Sequence, residues 1–259
     1  MGHKVLVIGA NYDIAGGNAL IDGTAYCISN GRTLVDGTGY DISFDNSIPA
    51  SDLSEGSIVY LTENGKSVAF YVAKHNYESG LNGSGRTLLI RKECYADRIW
   101  NEDSDDVDNE YASSAINTWL NNTYKALFDT AVQTAMGSTT FYYTKDAKNT
   151  ATVTTMAASI FLPSLKEFGR THSSANAEGS ALSIASTIIT PTHNSSSTSQ
   201  YQWTRTPMKG TDNYFRAFVV RKNTASYSGV SAEHCIRPMF TLPSTAKFDP
   251  ETMLFTGAV

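Results

Sequence analysis

The chain has 259 residues, a formal net charge of −5 and 17% charged residues, against roughly 25% in an average soluble domain. Hydrophobic residues make up 41% of it, which is enough for a packed core and excludes a disordered chain. An acidic chain without a basic run is not expected to bind nucleic acid, and its longest apolar stretches, such as 4–10 and 215–220, are too short to span a bilayer. We therefore expect one large domain with a small appendage and a surface of Ser, Thr, Asn and Gly.

Three copies of a short unit open the chain, beginning at Leu6, Leu20 and Leu34 and so repeating every 14 residues. Asp-Gly, at 22–23 and 36–37, is a pair that two-residue hairpin turns favour. A hairpin of this size cannot bury its own apolar face, so it must stack on its neighbours or on another protein. The sequence predicts an all-β hairpin-repeat module over residues 1–46 for attachment or oligomerisation, with a plain extension of the main domain as the alternative. The repeated residues assigned to this role are Leu6, Tyr12, Leu20, Tyr26, Leu34 and Tyr40.

The main domain is expected over residues 47–245, and most of its predicted elements are strands. Runs of β-branched and aromatic residues predict strands at 57–61 and 67–73, on either side of a turn at 63–66, and further strands at 87–91, 160–163, 201–205, 214–221 and 236–242. A Ser-, Thr- and Ala-rich stretch at 173–200 predicts a long loop. Residues 246–259 are expected to form an exposed tail, whose apolar residues 253–255 could dock on a neighbour.

Two helices complete the predicted elements. Apolar residues recur at helical spacing from Ile116 to Phe128, and Ser113 or Ser114 stands where the helix cap belongs. Ser164 and Glu167 have the spacing of a capping box, which predicts a short helix ending near Gly169.

Five separated motifs recur in a recognisable order along the main domain. They are Trp100, YASSAINTWLN at 111–121, FLPS at 161–164, WTRTP at 203–207 and IRP at 236–238. In this order they resemble an uncharacterised domain of Gram-positive gut bacteria and their phages, of the formylglycine-generating-enzyme-like branch. The resemblance spans about 58–242, and the repeats and the Phe-Asp-Pro-Glu-Thr tail also resemble phage structural proteins. The chain departs from the family pattern at Thr204, Thr206 and Cys235, where the family more often has other residues.

The resemblance implies an α+β fold with a C-type-lectin-like domain, which consists of antiparallel sheets with one long and one short helix. The motif residues themselves look like framework. Trp119 and Trp203 are expected in the core, and Arg205 and Arg237, each beside a proline in a strand-rich stretch, are expected to be buried and bonded to backbone carbonyls.

A search for catalytic patterns finds none that is complete. The nucleophile elbow and the phosphate-binding loop both lack required glycines, and the five histidines are not at metal-ligand spacing with Cys or carboxylates. We therefore expect no catalytic residue, no metal site and no cofactor. The acidic run 102–110 is expected to be a solvated loop, with a Ca²⁺ site as the alternative.

Three cysteines at wide spacing, Cys27, Cys94 and Cys235, make neither a disulfide framework nor a metal knuckle. We expect all three to be buried free thiols. No signal peptide is recognised at the N-terminus, which together with free thiols is typical of a protein made in a cytoplasm.

The segment between Trp203 and Ile236 is rich in Tyr, Arg, Asn and Ser, a composition typical of adaptable binding surfaces. In the lectin-like fold the resemblance places an exposed ligand face here. An ordinary polar sheet face is the alternative for any single residue. The predicted ligand-binding face consists of Asn213, Tyr214, Arg216, Arg221, Asn223, Tyr227, Glu233 and His234.

The sequence and the resemblance together suggest a non-enzymatic phage virion protein, a tail or baseplate adhesin assembled in the host cytoplasm. Its expected partners are other virion proteins through the repeats, a host-surface protein or glycan, and further copies of itself, with no nucleic acid and no membrane insertion. The alternatives are a capsid or tail decoration protein without a receptor role and a prophage-encoded bacterial surface adhesin.

Overall fold

The computed structural model divides the chain into two compact units, residues 1–46 and 47–259. In the first unit it describes the backbone of the strands between residues 3 and 42, with residue 46 besides. In the second it describes residues 47–102, 109–190, 192, 200–222 and 224–258.

The described residues of the first unit form six strands: β1 (His3–Val7), β2 (Ala10–Ala15), β3 (Asn18–Ile21), β4 (Thr24–Cys27), β5 (Gly31–Val35) and β6 (Thr38–Ile42). Strands β1–β4 form one antiparallel sheet in chain order, and β5 pairs with β6. The sequence repeat is also a repeat of register, since Leu6, Leu20 and Leu34 each pair with the residue five positions later. The side chains of the repeated Leu and Tyr residues lie outside the described part of the structure, so their attachment role stays a prediction.

The second unit is a mixed α+β fold built mostly from antiparallel sheets, as expected at this coarse level. Its strands are β7 (Ile48–Pro49), β8 (Ile58–Glu63), β9 (Lys66–His75), β10 (Arg86–Arg91), β11 (Asp97–Arg98), β12 (Thr139–Lys145), β13 (Thr152–Ala158), β14 (Gln202–Pro207), β15 (Arg216–Arg221), β16 (Thr224–Gly229), β17 (His234–Cys235), β18 (Met239–Pro243), β19 (Lys247–Phe248) and β20 (Phe255–Gly257). Its helices are α1 (Ser79–Asn82), α2 (Ala115–Trp119), α3 (Thr130–Ala135) and α4 (Ala185–Ile188).

Two larger sheets organise the unit. One has the order β18-β10-β9-β8, and the other, which carries the predicted ligand face, has the order β11-β17-β14-β15-β16. The predicted turn between β8 and β9 is present, with Asn64 and Gly65 both at positive φ (51° and 70°), as a two-residue hairpin turn of this kind requires. The core is rich in aromatic contacts, and Trp100 and Trp203 lie edge to face with ring centroids 5.6 Å apart.

The helices differ from the prediction. Ser114 caps α2, its Oγ accepting a hydrogen bond from the Asn117 N–H at 3.2 Å, as expected. The predicted long helix then changes character into a π-helical turn over Leu120–Tyr124 and a 3₁₀ turn over Lys125–Leu127. The Asn121 side-chain amide donates to the Asn117 carbonyl, and side-chain bonds of this kind compete with the regular helical ladder.

The predicted short helix near Gly169 is wrong, although its capping box forms. The Ser164 N–H donates to Glu167 Oε2 at 2.7 Å, and the Glu167 N–H donates to Ser164 Oγ at 3.1 Å. The chain then makes only a turn over residues 165–169, which ends at Gly169 in the left-handed region at φ +68°.

The expectation of three free thiols is wrong. Cys94 and Cys235 form a disulfide with their Cα atoms 5.5 Å apart, across 141 positions of sequence. The pairing of β11 with β17 brings the two together, since Asp97 stands opposite Cys235. Disulfides persist in oxidising surroundings, so this bond removes the argument from free thiols for a cytoplasmic protein. The side chain of Cys27 lies outside the described residues.

The C-terminal residues are not the exposed tail that the sequence suggests. Strand β19 pairs with β7 and with β20, and Phe248 is fully buried. The Tyr60 N–H donates to the Met253 carbonyl at 2.8 Å, which joins the tail to β8. Met253 and Phe255, which the sequence suggested for contact with a neighbour, therefore pack against the core of their own unit.

Two further features were not predicted. Strands β12 and β13 form a seven-pair hairpin, and α4 lies inside the stretch expected to be a loop.

Trp203 is fully buried as expected, whereas Trp119 is only half-buried against the core. Among the described residues no helix is long and apolar enough to cross a membrane.

Candidate functional site

Strands β15 and β16 form the hairpin that carries most of the predicted ligand face. They pair over their whole length, from Arg216 opposite Gly229 to Arg221 opposite Thr224. Strand β16 is the last strand of its sheet, so the hairpin forms an edge. Of the predicted residues, Asn223 lies outside the described part of the chain, and Glu233 is exposed shortly before β17.

The structure places the predicted residues on two opposite faces of this sheet instead of one. Arg216 and Arg221 are five positions apart on β15, an odd number, and successive strand residues point to opposite faces. At about 3.3 Å per residue, their backbones are also roughly 17 Å apart. Arg216 therefore shares its face with Tyr227, whereas Arg221 shares the other face with His234.

On the first face, Arg216 lies between aromatic rings. Its guanidinium is 4.7 Å from the Phe215 ring centroid and 5.2 Å from that of Tyr227, and Nη1 donates to Asn213 Oδ1 at 3.3 Å. Tyr227 is one of the exposed large hydrophobic residues of the described chain, at 43% exposure. The Lys148 ammonium lies 4.4 Å from the Tyr214 ring centroid. We call the set Lys148, Asn213, Tyr214, Phe215, Arg216 and Tyr227 the hairpin patch.

On the opposite face, a row of side chains crosses the sheet from strand to strand. Arg221 lies 4.3 Å from the Tyr201 ring centroid, and the Tyr201 and His234 rings are 6.1 Å apart. Arg98 pairs with His234 across β11 and β17, and it stacks 3.9 Å above the Trp119 ring. Burial lowers the pKa of His234, and the nearby Asp97 carboxylate opposes that shift only in part, which favours the neutral imidazole.

Strand β14 of the same sheet carries Arg205, the centre of a buried ionic network. Its guanidinium donates to Glu167 through Nη1 (2.7 Å) and Nη2 (3.1 Å), and to the carbonyls of Tyr142 and Leu162, both at 2.8 Å. The Tyr77 hydroxyl donates to Glu167 Oε1 at 2.5 Å. The sequence predicted the carbonyl partners of Arg205 but not its carboxylate partners.

Glu178 completes this network. Its Oε2 accepts a hydrogen bond from the Thr206 hydroxyl at 2.8 Å and lies 3.9 Å from Arg205 Nε, and its Oε1 accepts from the Thr144 N–H at 2.8 Å. Burial raises the pKa of Glu178 to about 7, although Arg205 pulls it down. Burial opposes the charge of Arg205, but the ion pair with Glu167 raises the pKa of Arg205 above its ordinary value.

Arg237 is the second fully buried arginine, and its surroundings are different. Its guanidinium donates to the carbonyls of Arg91 (Nε, 2.9 Å) and Ile188, as expected from the sequence. No carboxylate of the described residues forms a salt bridge with it, and burial lowers its pKa to about 9. Arg205 and Arg237 are both framework groups, inaccessible to a ligand.

No group of three or more His, Cys, Asp or Glu side chains suited to a metal ion occurs among the described residues. Residues 103–108 of the acidic run lie outside them, so the alternatives for that run remain predictions.

One comparison with known proteins gives a match. A family model described as a domain of unknown function (DUF6273) matches residues 84–244, more than half of the chain. The comparisons with curated proteins and with solved structures found no match. The matched range runs from β10 to β18 and includes the whole hairpin patch and, apart from Tyr77, the network around Arg205. The chain therefore belongs to the DUF6273 family.

Proposed function

We propose that the protein is a non-enzymatic phage virion protein, a tail or baseplate adhesin that binds a host-surface ligand through the hairpin patch. The C-type-lectin-like character of its second unit and the attachment role of its repeats are part of the same proposal. The phage setting is suggested by the sequence resemblance. The observation that carries the binding role is the stacking of Arg216 between Phe215 and an exposed Tyr227.

This arrangement suits binding because it combines rigid apolar area with a held positive charge. Tyrosine contributes a large contact area at a small cost in side-chain entropy, and a guanidinium resting on a ring is already oriented for a ligand. The Asn213 side chain and the half-buried Tyr214 extend the same surface.

The disposition of the titratable groups agrees with a non-enzymatic role. Tyr77, Glu167, Glu178 and Arg205 could do acid–base chemistry in an open cleft, but all four are fully buried and engaged with one another. Such networks fix side chains and strands in place. The Cys94–Cys235 disulfide also fits a protein that functions outside a reducing cytoplasm.

The test is binding of purified, fluorescently labelled protein to host cells or host-wall glycans. Tyr214→Ala, Arg216→Ala and Tyr227→Ala combined should weaken binding by at least about tenfold, because central aromatic and Arg contacts commonly contribute over 1.4 kcal/mol. The melting temperature serves as the control for folding. Unchanged binding by the folded triple variant would contradict the assignment of the hairpin patch as the binding surface.

A further inference from the structure

A small cavity formed by residues 165–177 is lined by basic side chains. Its volume is about 110 Å³, and Lys166, Arg170 and His172 are among its lining residues. All of its lining residues are described, and no acidic residue is among them. On a chain of net charge −5, this is a local excess of positive charge.

The charge separation follows from how segment 164–178 folds. Its two carboxylates, Glu167 and Glu178, are fully buried, where they face Arg205. Lys166 and Arg170 are half-buried at the surface and His172 is exposed. The segment therefore places its acidic side chains inside the core and its basic ones around the cavity. The loop 209–214 is bonded to this segment, since the Lys209 N–H donates to the Ser174 carbonyl at 2.8 Å. This loop carries one carboxylate, the exposed Asp212.

The His172 ring is held in an orientation that suits an anion. The Ser174 N–H donates to His172 Nδ1 at 3.1 Å, so Nδ1 keeps a lone pair and the neutral ring carries its proton on Nε2. His172 Nε2–H and the Lys166 ammonium are donors, and so is the Arg170 guanidinium, whose Nη2 also donates to the Lys222 carbonyl at 3.3 Å. Charge-assisted hydrogen bonds from such groups to carboxylate or phosphate are among the strong ones in proteins.

A buried ring connects this cavity to the hairpin patch. The His172 ring lies 5.1 Å from the Phe218 ring, and the Phe218 ring lies 6.5 Å from that of Tyr227, its cross-strand partner. His172, which lines the cavity, and the exposed Tyr227 therefore lie against the same buried side chain. A ligand that covers Tyr227 can reach the cavity with a neighbouring group.

We propose that this cavity is the acid-binding subsite of the ligand face and that the ligand is an acidic polysaccharide. The cavity receives the carboxylate or phosphate group of one residue, while the apolar face of a neighbouring sugar ring packs on Tyr227. This inference rests on the proposed function, since it extends the hairpin patch by one pocket and names the chemistry of the ligand.

The direct test is NMR titration of the full chain with three small probes: D-glucuronate, inorganic phosphate and D-glucose. The His172 ring signal, assigned with the His172→Gln variant, should move with glucuronate and phosphate and stay in place with glucose. Lys166→Gln combined with Arg170→Gln should weaken the binding of both glucuronate and phosphate by about tenfold or more, since charge-assisted hydrogen bonds contribute about 1.4 kcal/mol or more. The matched control is Lys66→Gln with Lys92→Gln, which removes the same charge at the other large sheet and should change nothing.

Several results would overturn the subsite. They are an unmoved His172 signal with both acids, an equal response to glucose, and a response that survives the Lys166 and Arg170 substitutions. Binding of poly-L-glutamate as tight as that of hyaluronan, a glucuronate polymer, would overturn the assignment to a polysaccharide.

The two proposals can fail separately. If the Tyr214, Arg216 and Tyr227 substitutions leave cell binding intact while glucuronate still moves His172, the hairpin patch is refuted and the acid site stands. If cell binding falls but the acids have no effect at His172, the patch stands and the subsite is refuted.

Discussion

The arginines of the core and the arginines of the β15–β16 hairpin put the same side chain to different uses. Arg205 and Arg237 are fully buried, and each donates to carbonyls fixed by the fold. Arg216 and Arg221 instead lie against aromatic rings, half-buried and exposed respectively. The difference separates groups that hold the fold together from groups that a ligand can reach.

The two buried arginines also differ from each other in their partners. Arg205 faces the carboxylates of Glu167 and Glu178, whereas Arg237 has carbonyl dipoles and no salt bridge with a described carboxylate. A carboxylate partner compensates most of the cost of burying a cation, and carbonyl groups compensate less of it. The pKa values follow, raised for Arg205 and lowered to about 9 for Arg237.

The largest expected effect comes from replacing these arginines one at a time. Arg205→Met should lower the free energy of unfolding by about 3–5 kcal/mol, because it removes the ion-pair partner of the buried Glu167. Arg237→Met should cost far less, about 1 kcal/mol, since removing this cation leaves no buried carboxylate unpaired. Urea unfolding followed by circular dichroism measures both, with Arg221→Met as the surface control. Equal losses at 205 and 237 would contradict the distinction between paired and unpaired burial.

The next effect is a pH dependence that belongs to the core and not to the hairpin. The pKa of Glu178 rises on folding from its ordinary value near 4.5 to about 7, so the folded state holds a proton that the unfolded state releases. This stabilisation is fully present below about pH 4.5, declines as the pH rises and is gone above about pH 7, a span of roughly 3 kcal/mol.

Comparing Glu178→Gln with the parent chain isolates this contribution. The difference between their free energies of unfolding should change across pH 4.5–7 in the direction just given and level off above pH 7. A difference that stays constant across that window would show that Glu178 titrates normally.

The sequence predicted the local features of both regions better than their long-range partners. The Ser114 cap, the Asn64-Gly65 turn and the carbonyl partners of the two buried arginines follow from neighbouring residues and were found. Glu167 lies 38 positions from Arg205, and Cys235 lies 141 positions from Cys94. Local sequence patterns do not predict pairs so far apart in the chain. Thr206, a departure from the family pattern, proves to donate to Glu178, another distant partner.

The prediction of a single ligand face was wrong for a different reason. Composition assigned residues 213–234 to one surface, but composition does not show that successive side chains of a strand point to opposite faces. Arg216 and Arg221 belong to one predicted strand at an odd separation, so their opposite orientation could have been predicted from the sequence. What could not be predicted is that Phe218 joins Tyr227 to His172 from a distant segment.

The most direct test of the account is the matched pair Arg216→Ala and Arg221→Ala, measured by binding of labelled protein to host cells. Both variants remove one arginine stacked on a tyrosine from the same strand, but from opposite faces. We expect Arg216→Ala to weaken binding by about threefold to tenfold, the effect of losing a cation–π contact of about 1 kcal/mol, and Arg221→Ala to bind like the parent chain. Equal binding by both variants, or a loss confined to Arg221→Ala, would contradict this expectation.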